Sequence, residues 1–223
     1  MENEEKFSVD TENLKAETKE TVNQVKESIK NVNLKNDAEE TKGFLKEMFS
    51  NPFEAVRMVA NEEENVFKKV IMIMLVFIIA SAAYAIISVV KYGAYLDLLD
   101  NIMTIIAGIL YPVFFVLAPA VVVLLLNKNN KKSLITIIST IVVASVPVVI
   151  NHLIDIVEIL VSGISIITGP ISTGLSAVAM ILTYFGMKDL FAIEEHKDFI
   201  KKYLVIKIAA ALIITILTRI GIC

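Results

Sequence analysis

The sequence predicts an all-α membrane protein: a polytopic helical bundle of five transmembrane helices, preceded by a helical cytoplasmic tail and an amphipathic interfacial helix. Three observations lead there. The run 70–90 holds 21 residues without a charge, a proline or a glycine, and about 20 apolar helical residues cross a bilayer core. Hydrophobic residues make up 56% of the 223-residue chain and the mean hydropathy is +0.69, whereas soluble domains average about 45–50% apolar; the excess lies almost entirely after residue 69. Charge divides at the same place. Residues 1–67 carry nine Lys/Arg against sixteen Asp/Glu, and residues 68–223 carry twelve against eight.

The acidic tail, 1–43, reads as partly disordered helix. Val22, Val25, Ile29 and Val32 recur at spacings of three, four and three, the stripe of a short coiled-coil seam. It is either one face of a polar, solvated helix or a short self-association and docking helix. Asn31, Asn33 and Asn36 weaken the helix, and Thr41-Lys42-Gly43 marks an expected break. The start of the chain lacks the basic residues and early apolar run of a signal peptide, so insertion is expected to be directed by the 70–90 span.

Residues 44–67 form the expected interfacial segment. Asn51 suits an N-cap, Pro52 the first helical position, and Glu54 the return bond of a capping box. Phe53, Val56 and Val59 then share one face, which lies on the membrane surface or packs beneath the bundle as a lid. Glu62, Glu63 and Glu64 read as a solvated acidic face.

The membrane domain, 68–223, has expected spans at about 70–90, 102–126, 133–151, 171–187 and 203–222. Pro112 and Pro119 predict a kinked second span, and Gly169-Pro170 a fresh start before the fourth. Asp155 and Glu158 stand three apart in the otherwise apolar stretch 153–168, which is too charged and too short for a span of its own. Either they are solvated carboxylates of an outward-facing interfacial helix, or they line a cation-binding mouth. A charged loop is expected over 188–202, with Lys207 one turn inside the last span and able to snorkel. With a cytoplasmic tail, Lys68, Lys69, Lys128, Lys131, Lys132, Lys188, Lys197, Lys201 and Lys202 fall inside, and only Lys91 and Arg219 outside. That bias sets the N-terminus in and the C-terminus out. Ala80–Ala83, Gly174, Ser176 and the alanines at 209–211 supply small residues for helix packing.

Several classes of chemistry are excluded or unsupported. The acidic tail argues against nucleic acid, which needs clustered basic side chains. The lone Cys223 makes no disulfide, CxxC site or CaaX box. His152 and His196 read as loop residues without a second ligand at metal spacing, no HExxH, GxSxG, Walker-type or GxGxxG pattern occurs, and no ionisable residue is expected deep in a span. No cofactor and no enzymatic activity are expected. The candidate residues for partner or membrane contact are Val22, Val25, Ile29, Val32, Phe53, Val56, Asp155 and Glu158.

The layout resembles the Yip1 family of small five-span membrane proteins, as a bacterial-type member. The proline-led Asn51-Pro52-Phe53-Glu54 and Arg57 ahead of the first span, the short loops, and the aromatic-rich LTYFGMKDLF at 182–191 carry the likeness, over about residues 50–223. The resemblance implies a helical membrane domain without catalysis, in a bacterial cell membrane, that organises membrane or docks partners. Family members in eukaryotes act in vesicle trafficking and contact Rab GTPases, but no residue here matches such a contact. The lipid bilayer is the expected partner, together with a protein partner or a second copy held through the tail. A small transporter or channel component is the alternative, since the proline and glycine breaks also suit the broken helices of transporters.

Overall fold

The computed structural model describes residues 34–61, 66–93, 97–126, 132–161 and 163–219, with isolated positions between 19 and 30. Among these residues the chain is entirely helical. Eight helices follow in order: α1 (Leu34–Ser50), α2 (Pro52–Ala60), α3 (Phe67–Tyr92), α4 (Leu98–Leu126), α5 (Leu134–Ala144), α6 (Val146–Leu160), α7 (Ser165–Leu190) and α8 (His196–Arg219). Three of them, α3, α4 and α7, are long and apolar enough to cross a membrane, and the bent pair α5–α6 makes a fourth if taken as one span.

The break expected at Gly43 does not occur, because α1 runs through it to Ser50. Its face of Asp37, Thr41, Phe44 and Met48 is buried, and the Thr41 hydroxyl closes onto the Asp37 carbonyl at 2.6 Å. Burial of that face overrides the local cost of one glycine. The division expected at residue 43 therefore falls inside a helix. The α2 start is correct in its proline and incorrect in its cap. Pro52 opens the helix, but the Asn51 side chain makes no capping bond, and Glu54 pairs with Arg57 at 2.7 Å instead of reaching back.

Helix α5 carries no charged residue and is largely buried. Thr136, Ile137 and every residue from Ser139 to Ala144 are buried, against α2, α3, α4 and α7, as expected for a helix without a polar face. Ser133 caps its start, accepting the Thr136 N–H at 3.1 Å. The expected third span, 133–151, is not one straight helix. The chain bends by 44° between α5 and α6 at Ser145, and Pro147 sits at the start of α6. Proline has no N–H to offer the Val143 carbonyl and its ring collides with that carbonyl, which is why the helix breaks here. The Ser145 hydroxyl reaches the Ile141 carbonyl at 2.7 Å across the bend.

Two further expectations change. The restart sits earlier than Gly169-Pro170: the turn between α6 and α7 holds Gly163 at φ +87, a left-handed conformation that favours glycine, and α7 continues through Pro170. The charged loop expected over 188–202 is short, since α7 extends to Leu190 and α8 already begins at His196. Pro112 and Pro119 lie within the continuous α4.

Close approach is made by small residues. Gly108 of α4 faces Ser81 and Ala85 of α3, where a Cβ would stand 2.4 Å from the Ala85 Cβ and 3.1 Å from the Ser81 carbonyl oxygen. Gly186 of α7 lies between Val56 of α2 and Thr140 of α5, at 2.6 and 2.7 Å by the same construction. Helix α2 is thereby wedged between α5 and α7.

Candidate functional site

Four polar residues of the membrane part share α6. Asn151, His152, Asp155 and Glu158 follow one another at spacings of one, three and three, so they occupy a single stripe of a helix. The α6 carbonyl end lies beside the end of α3, where the Lys91 ammonium donates to the Ile159 carbonyl. A cation satisfies the free carbonyls at a helix C-terminus and complements its dipole, so Lys91 ties the two helix ends together. Between them and the start of α7 opens a cleft of about 640 Å³, lined by Tyr84, Ser88, Lys91 and Tyr92 on one side and by Asp155, Glu158 and Ser165 on the other.

Each carboxylate has a specific neighbour. Glu158 accepts the Thr168 hydroxyl of α7 at 2.9 Å, and Thr168 is itself buried. Asp155 stands 3.4 Å from His152 Nδ1, one turn earlier. Both acids are half-buried and both line the cleft. The placement is common to both sequence readings of this pair, solvated carboxylates and a cation-binding mouth.

His152 is not a loop residue. It sits in the middle of α6, with its ring among Phe77 (5.4 Å), Tyr111 (5.8 Å) and Tyr84 (6.2 Å, stacked). Phe77 and Tyr84 bracket the midpoint of the 26-residue α3, which is about 39 Å long at 1.5 Å per residue. The expectation that no ionisable residue reaches deep into the spans is therefore corrected. Its Nε2, the Asn151 Oδ1 and the Ser81 Oγ are buried without a hydrogen-bond partner among the described residues. Leaving such atoms unmatched costs about 1–3 kcal/mol each, and Asn151 and His152 form the N-terminal end of the polar stripe. No group of three or more His, Cys, Asp or Glu side chains suited to a metal occurs among the described residues.

The other candidates divide. Val56 is 1% exposed and packs on Gly186, so it meets the protein interior and not lipid or a partner. Phe53, on the same helix, is 49% exposed and sets its ring edge on Phe185 of α7 at 5.3 Å. Val22 is exposed, while Val25, Ile29 and Val32 lie outside the described residues. His196 opens α8 rather than a loop; its ring stacks on Tyr184, whose hydroxyl is 2.9 Å from Nδ1.

Tyr84, Ser165 and Thr168 carry no signal in the sequence, and Lys91 reads there only as a topology marker. The readable signal was the helical spacing of Asn151, His152, Asp155 and Glu158. It was obscured by ending the third span at 151, which cut the stripe in two. No protein family, no curated protein and no solved structure matches the chain.

Proposed function

We propose that this is a non-enzymatic, five-span membrane protein whose bundle takes a small cation, a proton or an ammonium-type group, into the α6 cleft, as a small transporter or channel component. The observation that carries it is the stripe of Glu158, Asp155 and His152, which starts in an acidic mouth and ends on an unmatched imidazole nitrogen level with the middle of α3. Ionisable groups within membrane segments are costly and mark ion or proton pathways. The bend at Ser145, at the inner end of α6, is the kind of helix break found beside transporter sites.

The fifth span in this reading is α8, whose apolar part begins near Tyr203. The proposed orientation keeps the tail cytoplasmic. It is supported by the gathering of Lys69, stacked over Phe44, Lys202, stacked over Phe191, and Lys188 on the end of α7 that holds α2. The cleft, with Lys91, then faces outward. A bacterial cell membrane is part of the same proposal.

A second reading, in which the protein organises membrane or docks partners in the manner of the Yip1 family, is supported by α1 and α2. They fold onto α3, α5 and α7, which makes a built platform of residues 34–60.

Proteoliposomes containing the purified chain and a pH-sensitive dye separate the two. Under an imposed potential, proton or methylammonium flux that falls with Glu158→Gln and Asp155→Asn, at unchanged helix content, supports the cleft. Flux equal to that of protein-free vesicles rejects it and leaves the docking reading, for which cross-linking in native membranes identifies the partner.

A further inference from the structure

We infer that the ion taken up beyond the cleft is the proton, held on His152 as an imidazolium; this rests on the reading of the α6 cleft as a cation path. The imidazole occupies the place that an ammonium-type ion would need. Phe77, Tyr111 and Tyr84 surround it at 5.4, 5.8 and 6.2 Å between ring centroids, about the distance over which an aromatic face attracts a cation. With the ring already inside this enclosure, the charge that can enter is one proton on a ring nitrogen.

The two ring nitrogens meet different surroundings. Nδ1 stands 3.4 Å from Asp155, which lines the cleft. Nε2 is buried without a hydrogen-bond partner among the described residues. Ser81 lies four residues after Phe77 and three before Tyr84, and those spacings put all three on one side of α3. The rings on both sides of it meet His152, so Ser81 shares the enclosure. Its Oγ is also buried without a partner among the described residues. The hydroxyls of Thr140, Ser145 and Thr183 turn back onto the carbonyl four residues earlier, and that of Ser81 does not. Coverage increases in the same order: the Asp155 side chain is 29% exposed and that of His152 19%, and Ser81 is 3% exposed.

One proton moves from the cleft to the ring. It first protonates the Asp155 carboxylate. The Asp155 O–H bond then breaks, its electron pair stays on the carboxylate, and an Nδ1–H bond forms. The resulting imidazolium faces the Asp155 carboxylate at Nδ1 and donates from Nε2 to the Ser81 oxygen, directly or through one water. The carboxylate and the aromatic rings offset the cost of a charge in a membrane segment. Tyr84 and Tyr111 are the titratable neighbours from α3 and α4, and Glu158 follows Asp155 on α6. Other charges stand off. Helix α3 is uncharged between Lys69 and Lys91, α4 from Asn101 to Leu126, α5 throughout, and α7 as far as Met187. Lys91 lies seven residues beyond Tyr84, about 10 Å along the helix, and its ammonium is committed to the Ile159 carbonyl.

The full-length chain in proteoliposomes separates this assignment from the reading it rests on. Under an imposed potential, proton entry is followed with an enclosed pH-sensitive dye and radiolabelled methylammonium entry by filtration. The wild-type chain is expected to move protons and to leave methylammonium at the level of protein-free vesicles. His152→Gln supplies a polar side chain that takes no proton, and is expected to bring proton flux to the protein-free level. Ser81→Ala is expected to lower it on the order of ten-fold, the effect of one hydrogen bond to a charged group. Proton flux unchanged in His152→Gln overturns the assignment while leaving the cleft a cation path, as does methylammonium entry without proton flux. Entry of neither ion overturns both. If His152→Gln does not fold, ring-nitrogen NMR of the reconstituted chain decides. The chain has two histidines, so His196→Gln leaves the His152 signal alone. Acidification from about pH 8 to about pH 5 is expected to give a ring bonded to hydrogen at both nitrogens, and a ring that stays neutral overturns the assignment.

Discussion

Replacing Gly108 with alanine tests the α3–α4 packing that sets the wall of the cleft. The added Cβ would lie 2.4 Å from the Ala85 Cβ, about 1.1 Å inside the 3.5 Å at which two carbons first attract rather than repel. It would also stand 3.1 Å from the Ser81 carbonyl oxygen. Both obstacles are methyl or backbone atoms, so no rotamer change relieves them and the helices must separate. Overpacking of this kind costs about 1–3 kcal/mol. Alanine returns up to about 1 kcal/mol of helix propensity relative to glycine, leaving a net loss of up to about 2 kcal/mol. Gly174→Ala supplies the matched control: it is also inside a helix, α7, but an added Cβ there meets nothing within 4 Å, so only the propensity gain of up to about 1 kcal/mol operates. The two variants make the same chemical change, and their difference isolates the contact. Reversible unfolding in mixed micelles, followed by circular dichroism, should order them Gly174→Ala, wild type, Gly108→Ala. A Gly108→Ala chain as stable as Gly174→Ala would refute the close approach of Ser81 and Ala85 to α4.

Three other outcomes are expected. Ser133→Ala removes the cap bond to Thr136 and should cost about 0.5–2 kcal/mol, most of it recovered in Ser133→Asp, as the same unfolding curves would show. Phe77→Ala empties a position 1% exposed and ringed by Tyr111, Phe115 and His152; a loss of about 3–5 kcal/mol should appear together with a downfield or upfield shift of the His152 ring resonances, and a smaller loss would place Phe77 outside the core. Thr168→Val keeps the side-chain shape but deletes the 2.9 Å bond to Glu158; bonds to charged groups contribute about 1.5–3 kcal/mol when buried, and this acid is partly exposed, so a loss nearer 1 kcal/mol is expected, checked by a double-mutant cycle with Glu158→Gln.

The helices themselves were largely legible. The run 70–90 became Phe67–Tyr92, and the expected 102–126 became Leu98–Leu126, because the length of an apolar run is a local property of the chain and the bilayer sets its scale. Boundaries moved where neighbours decide. Gly43 looked like a stop, yet α1 passes through it because Phe44 and Met48 gain a buried face. Gly169-Pro170 looked like a start, yet the turn falls at Gly163 and the helix absorbs the proline.

The site was legible only in fragments. Asp155 and Glu158 stand out as charges in an apolar stretch, and their three-residue spacing is on the page. What they face is not. Whether α6 turns its polar stripe to water, to lipid or to α3 depends on the 44° bend at Ser145 and on the Lys91 bond that anchors its far end, contacts between residues up to 68 positions apart. The same holds for Val56, whose amphipathic helix has an apolar face that suits a membrane surface as well as Gly186. Hydropathy and charge along the chain thus determine that it is helical and built for a membrane, since each depends on residues within a turn or two. Which polar groups become buried together follows from packing at Gly108, Gly186 and Ser145, where the chain meets itself at distances that no local pattern encodes.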